Sequence, residues 1–444
     1  MTPRIPSSRI ALFALPALPV MMAHIPVGAI IPSFYAKHTA ASMAAIGSVF
    51  LVSRIFDAMI DPVIGHMSDR TRGPFGRRKP WVVAGAVVMV LAVWALFTPA
   101  PDAGAGWLMV ASMALFLGWG MLEIPYRAWS VELSRDYAER TKISTAIAVM
   151  GALGTLLFMA IPMLPIFASS EIGPQTMMFM AVVIAVLLPA CVALAVWRVP
   201  EGDALPEERS TGLEAIRSLA KNRPLFIFVV TFIFGGLGTG AFTAVFYLFV
   251  DNHLGIGDRF AMLYVASAAA NLAGMPLWHR VMQRIGRHRA LALSWGSLVF
   301  VQLAMLAVPK GEAAFIPMIG LALAFGFAEA ATKVAPYAMV GDIVDYETWR
   351  SGVDRSGSYF SFMILIAKLN FAIGGGAAFL LLGLIGYSAT GVNTGFAASG
   401  LIAVFVGLPV LLWAAAAVMA TRFPITRKRQ DIIRRRIESR TRAI

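Results

Sequence analysis

The chain has 444 residues, of which 59% are hydrophobic and only 14% are charged, and its mean hydropathy is +0.75. A water-soluble protein carries about 25% charged residues, so this composition argues against a soluble enzyme. One cysteine, Cys191, excludes an internal disulfide framework and a zinc–thiolate cluster. The net charge of +13 suggests nucleic acid at first sight, but the basic C-terminal tail has no interleaved aromatic residues. We therefore expect no nucleic-acid partner, and we find no nucleophile–base or metal-ligand motif of an enzyme.

Twelve apolar stretches are long enough to cross a bilayer, which takes about 20 residues in a helix. The first is also too long for a signal-peptide core, so we expect no cleaved leader. Four prolines (Pro16, Pro19, Pro26 and Pro32) predict that this first helix is irregular. The stretches lie at 10–36, 44–66, 81–99, 106–128, 143–167, 176–197, 224–250, 259–278, 290–308, 313–341, 358–386 and 394–421.

The spacing of these stretches predicts two sets of six helices in an all-α integral membrane protein. We expect an N-terminal six-helix bundle at 1–197, a polar inter-bundle loop with a short amphipathic helix at 198–223, a C-terminal bundle at 224–421 and a basic tail at 422–444. Basic hairpins at 65–80 and 278–291 occupy matching places in the two halves. Such internal duplication is typical of transporters built from repeated halves.

The distribution of lysine and arginine predicts the orientation in the membrane. With both termini in the cytoplasm, 30 of the 37 basic residues fall in cytoplasmic segments, three fall on the other side and four lie inside spans. A missed helix would invert every later loop and destroy this asymmetry. We therefore expect a multi-pass protein of the cell inner membrane with cytoplasmic termini, whose positive charge faces anionic lipid.

The second span carries two acids where charge is costly. Asp57 and Asp61 are four residues apart and share one helix face, and Arg54 precedes Asp57 by three. A charged side chain at mid-bilayer costs about 2.5–3.5 kcal/mol on insertion scales. Two neighbouring carboxylates in a low dielectric cannot both ionise cheaply, so one must take up a proton or bind a cation. This is what a coupling-ion site requires; the alternative is a structural Arg54–Asp57 pair.

Three other charged groups lie inside spans. Glu123 and Arg127 flank Pro125 in the fourth span and predict either a half-broken helix that lines a cavity or an internally neutralised packing pair. Lys368 has no acid near it in its own helix, so it finds a partner elsewhere, opens onto water, or snorkels to the interface. Glu329 and Lys333 in the tenth span are also four residues apart, and we interpret them as a packing pair.

Three segments resemble one family of carriers. RIFDAMIDPVIGHMSDRTRGPFGRRKPW (54–81), EIPYRAW (123–129) and GDIVDYETWRSGVDRSGSYFSFMILIAKLNFAIGGGAAFLLLGLIGY (341–387) resemble signatures of the glycoside–pentoside–hexuronide:cation symporters. These form the melibiose-carrier branch of the major facilitator superfamily. The resemblance implies the major facilitator fold, with twelve transmembrane helices in two pseudo-symmetric six-helix bundles.

The resemblance also implies roles for individual residues. Asp57, Asp61 and Glu123 match the acids of the family's cation site, and Lys368 matches its helix 11 lysine. Four positions match the cytoplasmic hairpin that latches the two halves: Asp69, Arg70, Arg77 and Arg78. Asp342, Asp345 and Tyr346 match the corresponding segment of the second half, and we add Arg54 to this group.

The sequence departs from the melibiose carriers at informative positions. Ile60 stands where sodium-using carriers have an asparagine, and Gly120 where they have a threonine. Both changes remove neutral oxygens that a hard cation needs, so protons are favoured over sodium as the coupling ion. The first span lacks the family's acid and the fifth its arginine, which argues against a galactoside. Arg127 replaces an aromatic residue and suggests an anionic or differently shaped substrate.

These observations predict a cation-coupled symporter of a sugar, glycoside or related small solute. Its partners are the substrate, the coupling cation (H⁺ or Na⁺) and the lipid bilayer; we expect a monomer without cofactor or bound metal. A transporter or exporter of an amphipathic, lipid-like or anionic substrate is the alternative, and a non-transporting membrane sensor is a further one. The candidate substrate contacts are Glu123, Tyr126, Arg127, Trp129 and Lys368.

Overall fold

The structure is a computed structural model of the full chain. It describes residues 5–134, 137–167, 171–201, 222–351, 356–390, 393, 395–426, 429–430, 432–433 and 436. Every regular element within these ranges is a helix. The amphipathic helix expected in the inter-bundle loop, and most of the basic tail, lie outside the described residues, so the domain boundaries stay a proposal.

Within the described residues, twelve helices are long and apolar enough to cross a membrane, which confirms the predicted number and places. An apolar stretch in lipid must satisfy its own backbone hydrogen bonds, and only a helix does so within one segment. We label them α1 (Ser7–Ala29), α2 (Met43–Arg70), α3 (Lys79–Phe97), α4 (Ala105–Glu132), α5 (Tyr137–Ala160), α6 (Pro174–Arg198), α7 (Arg223–Leu248), α8 (Phe260–Ile285), α9 (Arg287–Ala304), α10 (Phe315–Ser351), α11 (Ser356–Leu384) and α12 (Gly395–Thr421).

The first helix is irregular, as its prolines predict. It divides at Leu15–Pro16 into Ser7–Ala14 and Ala17–Ala29, and after Ile30 the chain continues as a short helix, Ile31–His38. The expectation of a half-broken α4 is wrong: α4 runs without interruption through Pro125 from Ala105 to Glu132. Prolines are tolerated in membrane helices when the surrounding structure satisfies the backbone groups that they free.

The helices form two bundles, α1–α6 and α7–α12, which meet mainly along α2 and α11. Gly47 of α2 lies so close to α11 that a Cβ atom there would stand 2.6 Å from the carbonyl oxygen of Gly376. At Gly383 a Cβ would similarly stand 2.6 Å from the backbone nitrogen of Ala44. Only glycine permits this backbone-to-backbone approach, so the bundles are in tight contact at this level of the membrane.

Because the number of spans is even, the start of α1 and the end of α12 lie at the same face of the molecule, which we call the terminal face. The α2–α3 and α8–α9 hairpins lie at this face, the second one turning at Gly286 with φ of 92°. The close α2–α11 contact lies toward the other side, which we call the opposite face. A central cavity between the bundles separates the two faces.

Candidate functional site

Four charged side chains from both bundles meet beside the cavity. Arg54 Nη1 lies 3.7 Å from Asp57 Oδ2, within α2. Lys368 Nζ of α11 lies 3.5 Å from the same Asp57 oxygen and also pairs with Asp61 Oδ2. The guanidinium of Arg54 packs 4.3 Å from the ring centre of Phe116, which holds it next to Asp57. Lys368 therefore finds its partners in the other bundle and does not snorkel to the interface.

The two carboxylate oxygens of Asp61 have different surroundings. Oδ2 accepts a hydrogen bond from Lys368, whereas Oδ1 is buried and receives no hydrogen bond within the described part of the chain. Gly120 of α4 faces Oδ1, and a Cβ atom on this glycine would stand 3.0 Å from it. A buried carboxylate oxygen without a donor carries a desolvation cost, which a bound proton would relieve.

The central cavity has a volume of about 480 Å³, within the usual range for small-molecule sites. Most of its wall is apolar, with phenylalanine side chains from α7, α8, α10 and α11. The polar groups concentrate on α8 and α10 of the C-terminal bundle. The lining includes Phe242, Thr243, Phe260, Asn271, Phe325, Glu329, Lys333 and Phe371.

Phe371 connects the cavity with the charged cluster. Its ring lines the cavity and also borders a small pocket beside Arg54. The ring lies over Gly28 of α1, where a Cβ atom would stand 2.2 Å from Cε1. Lys368 is one helical turn before Phe371 on α11. The charged cluster and the cavity thus share one side chain as a common wall.

An ion cluster closes the cavity at the opposite face. Lys37, after α1, lies 2.5 Å from Asp251 after α7 and 3.1 Å from Glu171 before α6. The ammonium group also lies 5.7 Å from the ring centre of Tyr247, which packs edge-to-face on the cavity-lining Phe260. The cluster joins the two bundles because Asp251 belongs to the C-terminal one.

The environment of the Lys37 cluster shifts two pKa values. Burial alone would lower the pKa of Lys37, but hydrogen bonds and charge contacts with Asp251 and Glu171 outweigh burial and raise it above its ordinary value. Burial, aided by the charge of Lys37, lowers the pKa of His38 against the opposing charges of Glu171 and Asp251. The cluster therefore favours a charged Lys37 next to a neutral His38.

The residues expected to latch the halves at the terminal face form contacts within each bundle. Arg78 is buried and lies 2.6 Å from Asp69 and 2.8 Å from Glu132. Arg77 lies 2.5 Å from the same glutamate. Burial opposes the charge of Arg78, but hydrogen bonds to Glu132 and Asp69 raise its pKa.

The remaining latch candidates are spread over both bundles. Asp342 of α10 pairs with Arg287 of α9, and Asp345 accepts a 2.6 Å hydrogen bond from Gln430. Arg70 is exposed, and Tyr346 packs on Trp349 one turn away on its own helix. None of these described contacts joins one bundle to the other, so a latching role stays a prediction.

The four candidates on α4 divide between two environments. Arg127 Nε lies 2.5 Å from Glu123 Oε1, which confirms the predicted pairing; Arg127 is 65% exposed. Tyr126 is buried in the N-terminal bundle, where its hydroxyl donates a hydrogen bond to the Phe13 carbonyl and its ring stacks on the Phe13 ring. Trp129 is fully buried and donates to the Pro200 carbonyl. Tyr126 and Trp129 therefore do not face the cavity, and Glu123 pairs with Arg127 beside the Asp57–Asp61 cluster rather than within it.

The structure also corrects the packing interpretation of Glu329 and Lys333. Both side chains line the cavity, and Lys333 Nζ lies 2.8 Å from Glu329 Oε1. Their i,i+4 spacing shows that the two residues can pair, but it does not show which way the helix face turns. Sequence reasoning also missed Glu171 and Asp251 as partners of Lys37. Charged residues are scarce at the opposite face, and this scarcity could have indicated that those present pair with one another.

Comparisons with known proteins agree with this architecture. A crystal structure of a point mutant of the nucleoside transporter NupG superposes with a TM-score of 0.70 at 12% identity, covering 93% of this chain and 99% of that one. An inner membrane symporter of Escherichia coli is 26% identical over 85% of this chain and 83% of its own length. A glucuronide carrier protein homolog of Escherichia coli is 24% identical over 89% of this chain and 88% of its own.

Fold and relatives define the class: the protein is a secondary transporter with the major facilitator fold, not an enzyme. The family described as MFS/sugar transport protein matches residues 12–427. The chain therefore belongs to this family, within the glycoside–pentoside–hexuronide:cation symporters, as its motifs predict.

Proposed function

We propose that this transporter couples the downhill movement of protons to the uptake of a sugar or glycoside. The observation that carries this proposal is the position of Asp61: one carboxylate oxygen pairs with Lys368 of the other bundle, and the second faces Gly120, which has no side-chain donor. The substrate occupies the central cavity, as the family description of sugar transport suggests. The ion site lies behind Phe371, at the junction of α2 and α11.

The charge balance of the cluster suggests how the proton acts. Asp57 and Asp61 are balanced by Arg54 and Lys368, so the cluster is neutral without an added cation. A proton on Asp61 neutralises that carboxylate and weakens its attraction for Lys368. Because Lys368 belongs to α11, proton binding changes a contact between the bundles. This link is what coupling to alternating access requires.

The surroundings of Asp61 support a proton rather than sodium. A hard cation takes several oxygen ligands, whereas a proton needs one carboxylate oxygen. Oδ1 faces Gly120, which has no side-chain oxygen, and the residue before Asp61 is the apolar Ile60. A proton can bind at Oδ1 without further ligands.

We propose that the terminal face is cytoplasmic and that the described state is open toward it. The Lys37 cluster closes the opposite face, while the charged Arg127 and Lys333 remain exposed inside their spans. Such charges are costly in lipid, so they face a water-filled opening. To test the orientation, single cysteines replace Phe75 or Asp102 in a Cys191→Ala background; an impermeant maleimide added to intact cells should label only the Asp102 position.

Uptake in proteoliposomes tests the coupling. With an acidic exterior, the wild type should accumulate at least one neutral p-nitrophenyl glycoside, and dissipating the pH gradient should abolish accumulation. Asp61→Asn should retain binding but lose gradient-driven accumulation. Asp102→Asn, the same change in an exposed loop, serves as the control. Undiminished accumulation by Asp61→Asn would contradict the mechanism.

A second candidate is an exporter of an amphipathic or anionic substrate. It is favoured by the mostly apolar wall of the cavity, to which five phenylalanine side chains contribute, and by the exposed guanidinium of Arg127. The same vesicles, supplied with p-nitrophenyl glucuronide or a lysophospholipid, separate the two candidates. Transport of the lysophospholipid without any glycoside would favour the exporter.

A further inference from the structure

We infer that Glu329, Lys333 and Asn271 form a subsite in the C-terminal bundle that binds the hydroxyl groups of a neutral sugar ring. The inference rests on the proposed function and names the substrate class within it. It places recognition on α8 and α10, whereas the ion site lies on α2 and α11. None of these three residues belongs to the motifs that carry the family resemblance.

The carboxylate of Glu329 is held from both sides. Its Oε1 lies 2.8 Å from Lys333 Nζ, and its Oε2 accepts a 3.3 Å hydrogen bond from Asn271 Nδ2. The second contact joins α8 to α10, so the three side chains form one connected group on the cavity wall. A group fixed in this way is prepared for a ligand, because little side-chain freedom remains to be lost on binding.

The group presents both donors and acceptors to the cavity. Lys333 is 51% exposed and has two further ammonium hydrogens, and Asn271 offers its amide oxygen. The carboxylate of Glu329 has additional lone pairs. A sugar hydroxyl both donates and accepts, so neighbouring hydroxyls match this mixed set, whereas a carboxylate only accepts.

The apolar wall completes the subsite. Phe242 and Phe325 stack with their ring centres 4.3 Å apart, and both line the cavity together with the polar group. The C–H face of a sugar ring is apolar and packs against such rings, while its hydroxyl edge points toward polar groups. An apolar wall with a few placed polar groups is the usual construction of a small-molecule site.

The balance of charge favours a neutral ligand. Glu329 compensates Lys333, so the wall has no net charge at the subsite. A substrate carboxylate next to Lys333 would also lie close to the Glu329 carboxylate, and like charges in a desolvated site repel. Removal of the Glu329 charge should therefore turn the subsite toward anionic sugars.

Equilibrium dialysis with the purified full-length protein tests this inference. The probes are the neutral p-nitrophenyl β-glucoside, β-galactoside and β-xyloside, and the anionic p-nitrophenyl β-glucuronide. The wild type should bind at least one neutral probe more tightly than the glucuronide. A hydrogen bond to a charged group is worth about tenfold or more in affinity, so Glu329→Gln should weaken neutral binding by about tenfold and shift the preference toward the glucuronide.

Two variants separate charge from structure. Lys333→Gln should weaken every probe, and the Glu329→Gln/Lys333→Gln double variant should regain the preference for neutral probes at reduced affinity, because the wall is again uncharged. Glu312→Gln, in an exposed position at the opposite face, should match the wild type. Thermal unfolding of each variant confirms that it is folded.

The outcomes distinguish this inference from the proposed function. If a neutral glycoside binds and is accumulated but Glu329→Gln and Lys333→Gln change neither affinity nor preference, the subsite is wrong and the proposed function stands. A wild-type preference for the glucuronide also overturns the subsite. If no glycoside binds or is accumulated, the proposed function itself fails, and the subsite fails with it.

Discussion

Lys37 and Asp251 lie 214 residues apart in the chain, yet their side chains meet at 2.5 Å and join the two bundles at the opposite face. Both side chains are largely buried; Lys37 compensates the charge of Asp251, and Asp251 together with Glu171 compensates the charge of Lys37. Removing one partner of a buried ion pair lowers stability much more than removing one partner of an exposed ion pair. The pair therefore stabilises the state in which this face is closed.

We predict that Lys37→Met opens the opposite face more often. A cysteine at Thr243 on the cavity wall, in the Cys191→Ala background, reports this opening through its reaction with an impermeant maleimide added from that face. The rate should rise about tenfold, which corresponds to ~1.4 kcal/mol. Lys310→Met, an exposed lysine at the same face, is the control. Equal rates in both variants would show that Lys37 does not hold this face closed.

The same reporter should depend on pH through His38. Burial and the charge of Lys37 lower the pKa of His38 in the closed state, against Glu171 and Asp251, whereas an opened, hydrated His38 returns to about 6.5. Neutral His38 thus supports closure fully above about pH 6.5, and this support is lost as the pH falls toward the lowered pKa.

Acidification from about pH 7.5 to 5 should therefore accelerate labelling from the opposite face, once each rate is divided by that of an exposed Asp102→Cys variant to remove the loss of reactive thiolate at low pH. His38→Gln cannot gain a proton and should flatten this response over the same range. A pH response of equal size in the variant would assign the effect to another group, such as Glu171 or Asp251.

The Arg78 cluster should contribute to stability. Arg78 is buried and bonds Asp69, Glu132 and the Ser68 hydroxyl at the terminal face. Arg78→Met leaves Arg77 as the partner of the buried Glu132, removes the bonds of the Arg78 guanidinium, and should lower the free energy of unfolding by about 1–3 kcal/mol. Arg72→Met, at an exposed position in the same loop, should change it by less than about 0.5 kcal/mol. Thermal unfolding in detergent measures both; similar losses would refute the assignment.

Sodium should affect transport only when an oxygen is added next to Asp61. We predict that wild-type uptake is insensitive to sodium and that Gly120→Ser makes it sodium-stimulated. The new Cβ stands 3.0 Å from Asp61 Oδ1 and brings a hydroxyl next to it, while the end of the Ile64 side chain, 2.9 Å away, shifts to make room. Gly296→Ser, at a helical glycine with open space around it, is the control. Sodium stimulation of the wild type would contradict proton coupling.

The sequence predicts the architecture well because the bilayer imposes it locally. Each span is recognisable from its own composition, and the prolines of α1 predict the break in that helix. The α2 acids and Lys368 were identified because a charge inside a span is conspicuous. Their pairing across the bundles was open, since Lys368 could equally have reached the interface.

The rest depends on helix rotation and on contacts distant in sequence. Trp129 is six residues after Glu123, which is about 120° away around a helix of 3.6 residues per turn, so the two could have been assigned to different faces. No comparable sequence pattern indicates that α10 turns Glu329 and Lys333 toward the cavity. The partners of Lys37 are 134 and 214 residues away, and nothing local in the sequence connects them.

The shared position of Phe371 has a thermodynamic consequence. Its ring borders both the cavity and the pocket beside Arg54, so a ligand that displaces it on one side alters the other. Such an influence between two equilibria is necessarily reciprocal. Under the proposed mechanism, if protonation changes the affinity for the substrate by some factor, bound substrate changes the affinity for the proton by the same factor.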